Sequence, residues 1–181
     1  GIWKECSNLV PTYLNSSVGK YKVKKIIDKM VTELDDLRNT EEDIMNVLSN
    51  SIVNTEVNSG NFIINETKDK SYLVDWEKPL FTTPLQDLSH FMVPTTTLWK
   101  TDYKLSQQDR DDFISAYCDQ RGLSNQKLKE ITEALEIFDK FSAMRGISWS
   151  AMAWVEYQQP DRMLKNQDTF ETMDEYLTEE F

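Results

Sequence analysis

Glycine is scarce in this sequence: the 181 residues contain only Gly1, Gly19, Gly60, Gly122 and Gly146. No two of them lie close enough to build a Gly-rich loop whose backbone amides cradle phosphates. Histidine occurs once, at His90, and a lone His beside Phe91 on a helical stretch reads first as a packed side chain rather than a base. Cys6 and Cys118 are isolated and lack CxxC spacing, so neither a disulfide framework nor a zinc site is indicated. That usage fits a reducing, cytoplasmic compartment. Long apolar runs are missing too: none approaches the roughly 18 residues that a membrane span needs, and no signal peptide opens the chain.

Basic residues are the next shortage. Twenty Lys and Arg face 31 Asp and Glu, giving a formal net charge of −11. A nucleic acid partner is disfavoured, because phosphate backbones call for clustered cations. A cationic small molecule would be attracted, although acidity that merely keeps the chain soluble explains the charge equally well.

What is present is mostly helical pattern. Ile2 to Leu14 places Ile2, Trp3, Cys6, Leu9, Val10, Tyr13 and Leu14 on one face, with Pro11 expected to end or kink the helix. Tyr21 to Leu37 is strongly amphipathic. Thr40 precedes an acidic first turn. Thr83, Pro84 and Asp87 read as N-cap, first position and first turn of a helix bearing Leu85, Leu88, Phe91 and Met92. Met92 to Tyr103 has no periodicity and reads as a Thr-rich loop around Trp99 and Lys100. Ser106 caps a helix to about Arg121, stopped by Gly122. Ser124 caps the next, punctuated at Gly146 and followed by a helix from Ile147 to Tyr157. Gln158 to Asp161 is a break, and Asp168 to Phe181 a last acidic helix.

Two short runs break the helical pattern. Asn61-Phe-Ile-Ile-Asn65 and Ser71-Tyr-Leu-Val-Asp75 are rich in β-branched and aromatic residues and flank the polar turn Glu66–Lys70. They read as a hairpin, with Ser51–Asn54 as a short strand ahead of it. The fold class is therefore mainly α with a small β-hairpin (α+β). One domain is expected over 1–181: leading helices at 1–50, the loop and hairpin at 51–80, and a helical subdomain at 81–181.

Glu56, Asn61 and Asp75 supply a carboxylate, a carboxamide and a second carboxylate around this hairpin, the oxygen donors that a Mg²⁺–phosphate site uses. In kinases a catalytic-loop carboxylate serves the hydroxyl nucleophile, while an Asn and a later Asp hold the metals. The pieces Asn54-Thr-Glu56-Val-Asn-Ser-Gly-Asn61, Val74-Asp75-Trp76-Glu77 and Thr83-Pro84-Leu-Gln-Asp87-Leu88 together resemble the C-terminal lobe of the aminoglycoside phosphotransferase/choline kinase-like family, within the protein-kinase-like fold. That family shows His-x-Asp-x-x-x-x-Asn, a hairpin, Ile/Val-Asp-Trp-Glu and Asp-Pro-x-x-Asp-Leu. Two departures matter: Asn54 stands for the His and Glu56 for the catalytic Asp.

The resemblance implies an ATP-dependent phosphotransferase acting on a hydroxyl of a small, possibly cationic alcohol, with ATP and Mg²⁺ as cofactors. Glu56 is then the catalytic base, Asn61 and Asp75 hold the metal and nucleotide, and Asp87 braces the loop. The nucleotide-covering N-terminal lobe has no counterpart here, and Gly1 in place of Met fits a chain that starts inside a longer protein. The alternative is a catalytically weak or inactive kinase-like protein that binds nucleotide or a partner.

Overall fold

A computed structural model describes residues 1–67, 70–160 and 166–181. The chain is mainly helical with small antiparallel sheets, and its residues divide into two compact units.

One unit comprises 1–39 and 143–181. It holds α1 (Ile2–Leu14), α2 (Tyr21–Leu37), the last part of a long helix and, near the C-terminus, α8 (Gln167–Tyr176). Part of each apolar face read from the sequence is buried here: Ile2, Cys6, Val10 and Tyr13 on α1, and Val23, Ile27 and Leu34 on α2, whereas Ile26 of the expected α2 face is exposed. Pro11 does not end α1. A proline removes one N–H, and buried Val10 and Tyr13 on either side of it keep the helix continuous. Tyr13 meets the Trp154 ring edge-on at 5.9 Å, and its hydroxyl accepts from Lys20 N at 3.1 Å. The Lys20 ammonium reaches Asp174 Oδ1 at 2.7 Å, which also accepts from Trp154 Nε1 at 2.9 Å. Asn166 caps α8 through Thr169 N. This helix stops at Tyr176, short of the expected Phe181, where Leu177 leaves helical geometry and buries its side chain.

The other unit, 40–142, contains the hairpin. After α3 (Glu41–Met45), β1 (Ser51–Val53) pairs antiparallel with β4 (Leu80–Thr82) in the register Ser51↔Thr82, Ile52↔Phe81, Val53↔Leu80. Strand β4 was not expected, since only four residues, Leu80 to Thr83, separate Pro79 from Pro84. Strands β2 (Phe62–Ile63) and β3 (Tyr72–Leu73) pair antiparallel with Phe62↔Leu73 and Ile63↔Tyr72. The hairpin is shorter than its sequence pattern. Asn65 diverts its side chain to Lys70 O and its N–H to Ser71 Oγ, local bonds that replace the ladder.

Helices α4 (Leu85–Met92), α5 (Pro94–Lys100), α6 (Gln107–Gln120) and the first part of α7 (Asn125–Tyr157) complete this unit. Pro94 to Lys100 is a helix where the sequence suggested a loop: Pro94 occupies the first turn and Thr95 and Thr96 are buried, so polar residues form its inner face. The helix that begins after Ser124 also runs through Gly146 without a break. A glycine inside a helix costs only about 1 kcal/mol against alanine, which the buried Met144, Ile147 and Ala151 around it offset. Ser106 forms a capping box with Asp109 at the start of α6, and Gly122, at φ +62°, ends it as expected.

A buried polar network joins α4, α6 and α7. Ser89 Oγ lies 2.6 Å from Asp139 Oδ1 and 2.7 Å from Ser142 Oγ. Arg110 pairs with the other oxygen of Asp139 and donates to Met92 O. Burial pushes the Asp139 carboxyl above its ordinary 3.8, while Ser89 and Arg110 pull it back. A carboxyl raised on folding adds stability that is complete below the ordinary value and is lost as pH rises through the raised one. Removing Arg110 strands the ionised form, so Arg110→Ala should lose on the order of 3 kcal/mol at pH 8. The deficit should shrink towards pH 4, because the raised Asp139 carboxyl takes up its proton more readily than an ordinary one. Urea denaturation of both proteins at the two pH values measures it.

Candidate functional site

The loop between β1 and β2 is built on α4. Asp87, in the first turn of that helix, accepts from Asn54 N at 2.7 Å through Oδ2 and from Thr55 N at 2.8 Å through Oδ1. The loop is thus braced from the helix by one carboxylate. Burial raises the Asp87 carboxyl above its ordinary range and the two N–H bonds oppose the shift. Thr83, ahead of the helix, is fully buried, and its hydroxyl accepts from Leu85 N at 3.5 Å.

The two other ends of the site are held by side-chain amides. Asn54 is 1% exposed. Its Nδ2 donates to Asp75 O at 2.8 Å and its Oδ1 accepts from Glu56 N at 3.1 Å. Asn61 Nδ2 donates to Glu56 O at 3.0 Å, and Asn61 O accepts from Val74 N at 2.9 Å. A closed ring results. It runs from Glu56 through Asn54 to Asp75, back one residue to Val74, across the hairpin to Asn61, and from Asn61 to Glu56 again.

Asn58 supports this ring from within the loop, donating to Glu56 O at 3.1 Å and accepting from Gly60 N at 3.0 Å. A Cβ on Gly60 would sit 3.1 Å from Asn58 Oδ1 and 3.9 Å from the Lys100 stem. The chain is therefore tight at Gly60, and Lys100 of α5 runs past this turn.

Among the described residues, only Thr55 (φ 73°) and Asp75 (φ 63°) are non-glycines with positive φ. A β-branched residue pays most for that geometry, on the order of 1–3 kcal/mol. Both belong to this site, at the two places where the loop and the end of the hairpin are bonded together through Asn54. Residues held in such conformations cluster where function requires a fixed backbone.

The structure thus brings Glu56, Asn61 and Asp75 into one hydrogen-bonded assembly. Asn61 spends its N–H on Glu56, which leaves Oδ1 as an oxygen donor. Among the described residues no hydrogen bond or ion pair engages the Asp75 carboxylate or Asn61 Oδ1. No group of three or more His, Cys, Asp and Glu side chains suited to a metal occurs among the described residues. A Mg²⁺ ion bound with nucleotide takes one or two carboxylates and completes its shell with phosphate and water, so the carboxamide and carboxylate present fit it.

Two contributors escaped the sequence reading. Asn54, seen there only as a departure from the motif, is the central buttress; its signal was its place beside a short strand. Lys78 pairs with Glu56 Oε1 at 3.3 Å and with Glu77 Oε1 at 3.1 Å. Glu77 and then Glu56 push its ammonium above the ordinary lysine range. A Lys following two acids in Asp75-Trp-Glu-Lys78 was the available sign. His90 is half-buried on α4, and Trp99 is half-buried on α5.

No known protein family, curated protein or solved structure matches the chain.

Replacing Asp87 by alanine leaves two amide N–H groups without their acceptor, at about 1–3 kcal/mol each where burial persists. Asp87→Ala should lower stability by about 3 kcal/mol and abolish hydrogen-exchange protection at Asn54 and Thr55. Asp87→Asn, which keeps one acceptor oxygen, should fall between. Retained protection at both amides in Asp87→Ala would contradict the bracing role.

Proposed function

We propose that this chain is the C-terminal, kinase-like lobe of an ATP-dependent phosphotransferase that phosphorylates a hydroxyl of a small alcohol, of the aminoglycoside or choline kind. The observation that supports this reading most is the hydrogen-bonded ring that holds Glu56, Asn61 and Asp75 together, with the strained Asp75 in it and the strained Thr55 between its members Asn54 and Glu56. The motif resemblance names the same three residues. In this reading the Gly-rich cover for the phosphates comes from a preceding lobe. The exposed Ile52, Ile64, Tyr72, Leu80 and Phe81 then face it or the ligand. A cytoplasmic setting belongs to the same proposal and draws on the two buried cysteines, Cys6 and Cys118, which are not joined in a disulfide.

Asn61 Oδ1 and the Asp75 carboxylate would hold Mg²⁺ against the nucleotide phosphates. When bound, the ion supplies charge neutralisation at the phosphoryl oxygens. Glu56 accepts the acceptor's hydroxyl proton as that oxygen bonds to the γ-phosphorus and the bond to the bridging β-phosphate oxygen breaks, leaving ADP. Asn54 and Asp87 fix the loop, so the reaction draws on positioning more than on covalent chemistry.

A second reading, nucleotide or partner binding without transfer, is favoured by one feature: the carboxylate assigned as base is paired with Lys78. Calorimetric titration of the full-length protein with Mg-ATP, following ADP release with water or added amino alcohols, separates the two. Transfer should disappear in Asp75→Ala, and Glu56→Gln should lower kcat by about 10²-fold with little change in binding. Binding that depends on Asp75 without ADP release would select the second reading. Undiminished transfer in Asp75→Ala would remove the metal assignment.

A further inference from the structure

Lys78 is tied to the site by its backbone as well as its charge. Thr55 Oγ1 donates to Lys78 O at 3.0 Å, and Thr55 itself is buried, with its N–H on Asp87. The backbone of Lys78 is thereby pinned to the residue that precedes Glu56. Its ammonium then returns to Glu56 Oε1 at 3.3 Å. An ordinary surface pair joins two side chains on independently mobile backbones and contributes little. Here the backbone contact is made first, by a buried hydroxyl on a strained residue, and the ion pair is built upon it.

Glutamate carries one more rotatable bond than aspartate, so its carboxylate samples more rotamers about a fixed backbone. A proton acceptor that wanders loses rate, because near-attack geometry is narrow. We propose that Lys78 is a positioning residue for Glu56, holding Oε1 so that Oε2 is presented to the acceptor's hydroxyl. This rests on the phosphotransfer reading above. Glu77 completes the arrangement: one ammonium is shared by two carboxylates, so the cation is not given to Glu56 alone. In this role Lys78 acts only through Glu56 and transfers no proton itself.

The test is steady-state Mg-ATP hydrolysis by the full-length protein, with water as acceptor, in wild type, Asp75→Ala, Lys78→Met, Lys78→Arg, Glu56→Gln and the double variant Lys78→Met/Glu56→Gln. Lys78→Met should lower kcat about 10-fold with KM for Mg-ATP unchanged. Lys78→Arg, which keeps the cation, should recover most of the loss. In the Glu56→Gln background Lys78→Met should cost nothing further, since a residue acting only through Glu56 has nothing left to act on. Thermal midpoints should agree within about 2 °C across the set, because the pair is exposed. An unchanged kcat in Lys78→Met, an equal loss in both backgrounds, or a raised KM with kcat intact would overturn the assignment. Hydrolysis that does not depend on Asp75 would instead remove the phosphotransfer reading, and this inference with it. Asp75-dependent hydrolysis that ignores Lys78 would sink the inference alone.

Discussion

One carboxylate on α4 holds the site in place. Asp87 takes the N–H groups of Asn54 and Thr55 on its two oxygens, and the positive φ of Thr55 is tolerated in that setting. A β-branched residue left alone would relax out of this conformation. Two charge-assisted bonds, each worth about 1.5–3 kcal/mol, are of the size needed to offset strain on the order of 1–3 kcal/mol. The turned loop then carries Glu56 N to the Asn54 amide and Glu56 O to the Asn61 amide. Without the brace there is no reason for the loop to turn as it does.

The same helix fixes the other end. Asp87 and Phe91 are four residues apart and so share a face of α4. While Asp87 holds the loop, Phe91 packs edge-on against Phe62 at 5.6 Å and stacks on Phe113 of α6 at 5.0 Å. Phe62 follows Asn61 directly, so the position of the carboxamide is set by aromatic packing on the helix that also carries the brace. Between them Ser89 turns to another side and bonds Asp139 of α7. A short helix of eight residues thus couples loop, hairpin and helical support, and its own placement depends on the buried network around Asp139.

The sequence made the components legible and left their linkage dark. The amphipathic pattern of α1 and α2, the cap at Ser106 and the Gly122 stop follow from local rules, and the residues buried on α1 and α2 are drawn from the faces that the periodicity marks. Where the reading failed, tertiary burial outweighed local signals. Pro11 and Gly146 are helix breakers by propensity, yet both sit inside helices between buried apolar neighbours. The Thr-rich stretch after Pro94 has no apolar period because its helix buries threonines. Strand β4 became a strand only because β1 lay beside it. For the site, Glu56, Asn61 and Asp75 could be picked by type and spacing. No local rule could indicate that Asn54 bonds across 21 residues to Asp75 O, or that the Lys78 carbonyl returns to Thr55.

Asn54 shows what a buried carboxamide can do at the centre of such a loop. The position needs one donor, aimed at Asp75 O, and one acceptor, aimed at Glu56 N. A neutral imidazole offers one of each, but gains a second donor and loses its acceptor on protonation near neutral pH. A carboxamide offers both at every pH and never carries charge. Buried to 1% exposure, it avoids the desolvation cost that a titrating ring would meet there. A carboxamide therefore holds this buttress without making it depend on a proton.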